Sequence, residues 1–142
     1  MVAQLEQALI VAYLCANLSN YSDQLNRKRP TAASWQVQRA MDYIEMNWDH
    51  PITIKGLASA TETSARSLFA TFKKDRGCSP MAFVKHVRLM RAREILLMAA
   101  TGASVGSVAA KCGFRSPAHF TKNYLASFGE LPSETLKRAK RR

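Results

Sequence analysis

Leu57-Ala58, Glu62, Leu68, Phe72, Gly77 and Pro80 form a series that returns as Val108-Ala109, Gly113, Phe120, Tyr124, Gly129 and Pro132. Five residues separate Leu57 from Glu62, and five separate Val108 from Gly113. The step from the turn to the first large apolar residue is six in one copy and seven in the other. The last three intervals are four, five and three in both. A short apolar helix, a turn, and a second helix with an i, i+4 apolar pair make a helix-turn-helix. Two in one small chain form a far more specific signal than one. They point to a bipartite DNA-binding module.

The helix boundaries around this repeat are punctuated. Ser34 is placed to cap a helix running to about Asp49, with Val37, Ala40, Met41, Ile44 and Trp48 on one face, ended by His50-Pro51. Thr53 can cap Ile54–Ala60, and Ser64 can cap Ala65–Arg76, which Gly77 stops. Ser79-Pro80 opens the longest helix, Pro80 to about Ala99. Ser104 can cap Val105–Cys112, Ser116-Pro117 opens another helix stopped by Gly129, and Pro132 opens the last. Nothing alternates with period two for long enough to make a strand, so the expected class is all-α.

Upstream, residues 2–18 carry Leu5, Leu9, Ile10, Val11, Leu14 and Leu18, a helix apolar nearly all round. It is too short and too polar for a membrane span, and it lacks the basic start of a signal peptide. It needs a partner surface: the downstream domain, a copy of itself, or a part this chain lacks. Asn20 to Thr31, with Arg27-Lys28-Arg29-Pro30, reads as a linker.

The formal net charge is +11 over 142 residues, with a pI near 10.1. That balance favours a polyanionic partner, nucleic acid before a membrane surface. The three cysteines, Cys15, Cys78 and Cys112, have neither ligand spacing nor an even number, so no disulfide framework or metal site is indicated. They fit a reducing cytoplasm. No phosphate loop, nucleophile-base spacing or cofactor motif appears, and His50, His86 and His119 are scattered, so an enzyme is not expected.

Each second helix should turn one stripe inward and one outward. In the first motif Leu68 and Phe72 face in, and Arg66, Phe69, Ala70 and Lys73 face out. Arg66 lies near the helix N-terminus, where such helices meet base edges, and its fork matches guanine O6 and N7. Phe69 has two readings: a ring turned out onto DNA, or one folded back into the core. In the second motif Phe120 and Tyr124 face in, and Ala118, His119, Lys122 and Asn123 face out. Asn123 can pair with adenine, Lys122 with guanine or a phosphate. Arg115, in the preceding turn, suits a phosphate better than a base. Lys85, Arg88, Arg91, Arg93 and the basic tail are further phosphate candidates, and Arg88 could equally bond the turn carbonyls. Lys73, with Ser64 and Ser116 at the two helix starts, completes the phosphate-contacting set. A helix from Pro80 to Ala99 would be about 30 Å long, near the roughly 34 Å between successive major grooves on one face of B-DNA. Any mismatch would have to be taken up by bending the DNA, at a cost of about 1–6 kcal/mol.

Ser64-Ala-Arg-Ser-Leu-Phe-Ala-Thr-Phe-Lys-Lys-Asp-Arg-Gly-Cys-Ser-Pro80, Arg88-Leu-Met-Arg-Ala-Arg-Glu-Ile-Leu96, Ser104-Val-Gly-Ser-Val-Ala-Ala-Lys-Cys-Gly-Phe114, His119-Phe120 and Phe128-Gly-Glu-Leu-Pro132 together resemble the DNA-binding domain of the AraC/XylS family of bacterial transcription regulators. The resemblance covers roughly Ser34 to Lys137. It implies seven helices, with the long one joining two subdomains, and promoter binding in the bacterial cytosol with activation through contact with RNA polymerase. Carried onto this sequence, it places Arg66, Ser67, Phe69 and Ala70, then Ala118, His119, Lys122 and Asn123, at base-reading positions. It also implies a division into residues 1–26, the helical end of an upstream effector or dimerisation domain, a basic linker 27–33, and a DNA-binding domain 34–142. A homodimer through residues 1–26 or through a missing N-terminal domain follows as an expectation. Glu62 departs from the family's glycine in the first turn, Lys122 from its arginine, and Glu134-Thr-Leu-Lys137 from its aromatic-arginine pair. Two readings compete: a non-specific architectural DNA-binding protein, and a helical protein-interaction domain whose charge serves solubility.

Overall fold

The computed structural model describes residues 32–98 and 102–142, and these contain seven α-helices and no strand. The apolar segment 1–26, the Arg27–Pro30 run and Ala99 lie outside the described residues. The helices are α1 (Ala32–Met46), α2 (Ile54–Ala60), α3 (Ala65–Arg76), α4 (Pro80–Met98), α5 (Val105–Lys111), α6 (Pro117–Phe128) and α7 (Pro132–Lys140). The expected boundaries of α2 and α3 are reproduced, because caps and stops are local signals. Thr53 Oγ1 accepts from Gly56 N at 3.0 Å, and Ser64 Oγ from Ser67 N at 3.1 Å. Gly77 and Gly129 end α3 and α6 in the left-handed region, at φ 73° and 70°, a conformation open to glycine at no steric cost.

Helix α5 ends at Lys111, one residue short of the expected Cys112, and both boundaries of α1 differ from expectation. Helix α1 is already helical at Ala32, so Ser34 lies within it rather than capping it. Alanines at 32 and 33 are strong helix formers, and they extend the helix past the serine. The helix also stops at Met46, well before Pro51. There the Asn47 side-chain amide donates to the Tyr43 carbonyl at 2.8 Å, which caps the helix end locally. Trp48 therefore lies beyond the helix, half-buried, while Val37, Ala40, Met41 and Ile44 are buried as expected.

The described residues divide into two compact units, with the division inside α4 between Lys85 and His86. In the first unit α1 packs on α2 and α3. Its core is built of Val37, Ala40, Ile44, Leu57, Leu68 and Phe72, all fully buried. Phe72 meets Phe83 edge-on, with ring centres 5.6 Å apart at 63°. In the second unit α5, α6 and α7 pack on one another. Its core is an aromatic series: Phe114–Phe120 at 5.0 Å, Phe120–Tyr124 at 5.6 Å and Tyr124–Phe128 at 4.6 Å. Arg93 of α4 lies over the Phe128 ring at 4.6 Å.

Helix α7 lacks the aromatic-arginine pair of the family pattern, and a hydrogen-bonded chain holds it instead. Tyr124 O–H donates to Thr135 Oγ1 at 2.9 Å, and Thr135 donates onward to Glu130 Oε1 at 2.7 Å. Arg138 closes the chain with two bonds to the Glu130 carboxylate, at 2.6 and 2.9 Å. The Arg138 guanidinium holds the Glu130 carboxyl below its ordinary pKa.

Candidate nucleic-acid interface

Both motifs close their turns with the same bonds. In the first, Thr61 N donates to Leu57 O at 3.0 Å, Glu62 N to Ser59 O at 3.2 Å, and Thr63 N to Ala58 O at 3.0 Å. In the second, Cys112 N donates to Val108 O, Gly113 N to Ala110 O and Phe114 N to Ala109 O, each at 3.0 Å. The pivot residue sits at positive φ in both, 55° at Glu62 and 82° at Gly113. Glu62 thus takes the left-handed conformation without being glycine.

These turns fix which face of the following helix is exposed. Leu68 and Phe72 of α3 are fully buried, as are Phe120 and Tyr124 of α6. Arg66, Ser67, Phe69, Ala70 and Lys73 are exposed on the other side of α3. Of the two readings of Phe69, the structure has the outward one: the residue is 46% exposed. On α6, Ala118, His119 and Lys122 are exposed, and Asn123 is half-exposed. The Asn123 amide donates to the His119 carbonyl of its own helix at 2.8 Å. It would have to leave that bond to present its full edge to an adenine.

Ser64 and Ser116 are exposed, and their hydroxyl oxygens accept from the α3 and α6 backbones, with Ser116 Oγ taking His119 N at 3.3 Å. Each hydroxyl keeps its proton for a further acceptor, at a helix N-terminus that favours anions. Lys73 and Arg115 are exposed too. The α4 arginines are placed differently. Arg91 pairs with Glu94 at 3.1 Å. The Arg88 guanidinium lies under the second turn, where a Cβ built on Gly113 would come within 2.9 Å of its central carbon. Burial there lowers the Arg88 pKa from its ordinary value. Cys112, in the same turn, is fully buried, and that burial pushes its thiol up to about 11. A protonated, enclosed thiol is a poor nucleophile.

Counting from the two capping serines finds two positions that stripe reasoning passed over. Thr121 stands five residues from Ser116 as Phe69 stands five from Ser64, and Leu125 matches Lys73. Thr121 is half-exposed and Leu125 is 45% exposed. The signal was the repeat itself, applied residue by residue rather than to the apolar pairs alone.

Comparison with known proteins agrees with this geometry. A family model described as a helix-turn-helix domain matches residues 57–138. The chain is 32% identical over 120 residues to XylDLEGF operon transcriptional activator 2 of Pseudomonas putida, covering 84% of this chain and 76% of that protein. It is 33% identical over 125 residues to activator 3 of the same operon, covering 87% of this chain and only 38% of that one. A crystal structure of a probable AraC family transcriptional regulator from Rhodopseudomonas palustris is 47% identical, with a TM-score of 0.72, over 75% of this chain and 98% of that one. With two helix-turn-helix motifs, the family model and these relatives in agreement, the chain belongs to the AraC/XylS family of transcriptional regulators and carries their helix-turn-helix DNA-binding domain.

Proposed function

We propose that this chain reads two short elements of a promoter, α3 lying in one stretch of major groove and α6 in another. The observation that carries this reading is the two-faced character of both helices. Each has a fully buried apolar pair on one side and an exposed stripe on the other. Arg66 takes a guanine, Lys122 a guanine or a phosphate, and Asn123 an adenine once it releases the His119 carbonyl. Ser67, Phe69, Ala70, Ala118 and His119 complete the base-facing surfaces. Ser64, Lys73, Arg115 and Ser116 hold phosphates, and Arg88 and Arg91 contribute field more than contact, given their neighbours on the protein. The net charge of +11 supplies the salt-dependent, sequence-independent part of the affinity.

Activation through RNA polymerase is proposed by analogy with the Pseudomonas putida relatives, which are named transcriptional activators. Residues 1–26 are proposed as the end of an upstream effector or dimerisation domain, joined by the basic linker 27–33 to the DNA-binding domain 34–142. A cytosolic location follows from that role.

Selection of bound duplexes from a random pool, at about physiological salt, tests the reading. Two enriched elements are expected, one relaxed by Arg66→Ala and the other by Lys122→Ala, at roughly 1–3 kcal/mol of discrimination for the arginine. A single element would confine base reading to one motif. No enrichment, with binding abolished by salt, would replace the proposal with an architectural DNA-binding protein.

A further inference from the structure

We infer that the first motif is a thymine reader as well as a guanine reader, with the Phe69 ring seated on a thymine 5-methyl group beside the base pair taken by Arg66. The inference rests on the proposal that α3 enters a major groove. Arg66, Phe69 and Ala70 stand at i, i+3 and i+4, so their side chains share one face of the helix. All three are exposed, and Phe69 keeps 46% of its surface in solvent although Leu68 beside it is fully buried. That surface would be covered on docking. What covers it is decided by what the ring lacks. Phenylalanine has no donor or acceptor, and most of the major-groove edge consists of donors and acceptors. Setting the ring against guanine O6 and N7, adenine N6 and N7, or the cytosine amino group would take those atoms from water with no replacement bond. The thymine methyl is the largest apolar group displayed in that groove, where cytosine offers only a C5–H. Ala70, one residue further, offers only a second small apolar surface and no competing polar contact.

The second motif supplies an internal control. At the place of Phe69 it has Thr121, whose hydroxyl can bond to a base edge, and at the place of Ala70 it has Lys122. The second element is therefore expected to depend less on any single thymine methyl, since the Thr121 methyl offers far less apolar surface than the Phe69 ring.

The test uses the duplex enriched by selection, with each thymine of the first element replaced in turn by deoxyuridine. This removes the methyl and preserves the pairing. One position is expected to weaken binding by about threefold to tenfold, the scale of one buried methyl group. Against the Phe69→Ala protein, the thymine and uracil duplexes should bind alike, while exchange of the guanine read by Arg66 should still weaken binding. Equal binding of all uracil-substituted duplexes by the unaltered protein would overturn the inference and leave sequence-specific reading standing. So would a thymine preference that survives Phe69→Ala. Absence of any enriched element would overturn both this inference and the reading beneath it.

Discussion

At Glu62 the chain turns with φ 55° and at Gly113 with φ 82°, and the two turns close with equivalent backbone hydrogen bonds. What faces the pivot differs between the two copies. Glu62 projects its side chain outward, 76% exposed, with the carboxylate 3.8 Å from Arg39. Gly113 has the Arg88 guanidinium so close that an added Cβ would meet its central carbon at 2.9 Å. The backbone geometry belongs to the motif, whereas the close approach that would crowd a Cβ belongs to one copy. A second contrast follows the first. Thr61 and Cys112 occupy the same fully buried place before the pivot. The threonine hydroxyl donates back to the Leu57 carbonyl at 2.9 Å, and the cysteine fills its site as a small apolar group.

The sharpest way to break this comparison is to exchange the pivots. Gly113→Glu should destabilise the protein by about 2 kcal/mol, combining left-handed strain with displacement of Arg88. Thermal denaturation would show it. In an Arg88→Ala background the same change should cost less, because only the strain remains. Equal costs in both backgrounds would mean that the arginine is no obstacle and that glycine is needed for φ alone.

A smaller effect separates the two cores. Tyr124→Phe breaks the chain through Thr135 to Glu130 and should cost roughly 0.5–1.5 kcal/mol. The equivalent residue of the first motif, Phe72, has no hydroxyl to lose. A Tyr124→Phe protein as stable as the parent would mean that α7 is held by packing of Leu136 and the aromatic series, and the hydrogen bonds add nothing.

Acid tests the same chain by its charge. Arg138 lowers the Glu130 pKa in the folded state. A lowered carboxyl pKa contributes stability that is complete above the unfolded pKa, near 4.5, and is lost as pH falls through the folded value. Melting temperatures of the parent and of Glu130→Gln should therefore differ at pH 7 and converge as pH falls below 4.5 and through the lowered folded value. A difference that stays constant with pH would remove the Arg138 contact as its cause.

The two motifs, their caps and their helix ends could be read from the sequence because the physics is local: a serine three residues before a backbone N–H, a glycine after the last turn. The buried faces followed from four-residue spacing. What could not be read depended on which partner each side chain finds, whether far along the chain or one turn back on the same helix. The sequence leaves Arg88 open between a phosphate and the turn carbonyls, and only the fold puts it beneath Gly113. Asn123 looked free to read a base, yet one N–H of its amide already bonds the His119 carbonyl. Thr135 looked like a departure from the family pattern, and its partners Tyr124 and Glu130 lie eleven and five residues away. The end of α1 was missed for a smaller reason: Asn47 caps it ahead of the proline expected to do so.

The smallest predicted effect is the most pointed, because it asks whether Glu62 is strained at all. Glu62→Gly removes a left-handed non-glycine residue, a gain on the order of 1 kcal/mol. It also loosens the unfolded chain, a loss of about 0.4–1 kcal/mol. The Arg39 ion pair that disappears with it is exposed and long, and such pairs contribute about 0–1 kcal/mol. These contributions oppose one another, so the expected net change is within about 0.5 kcal/mol of zero, read as an unchanged denaturation midpoint. A gain well above 1 kcal/mol would mean that the first turn wants glycine as much as the second, and that Glu62 is kept there at a cost in stability. An unchanged midpoint would show instead that the relieved strain is offset by the freer unfolded chain and the lost ion pair, so that a turn closed by three backbone hydrogen bonds accepts glutamate and glycine at the pivot equally.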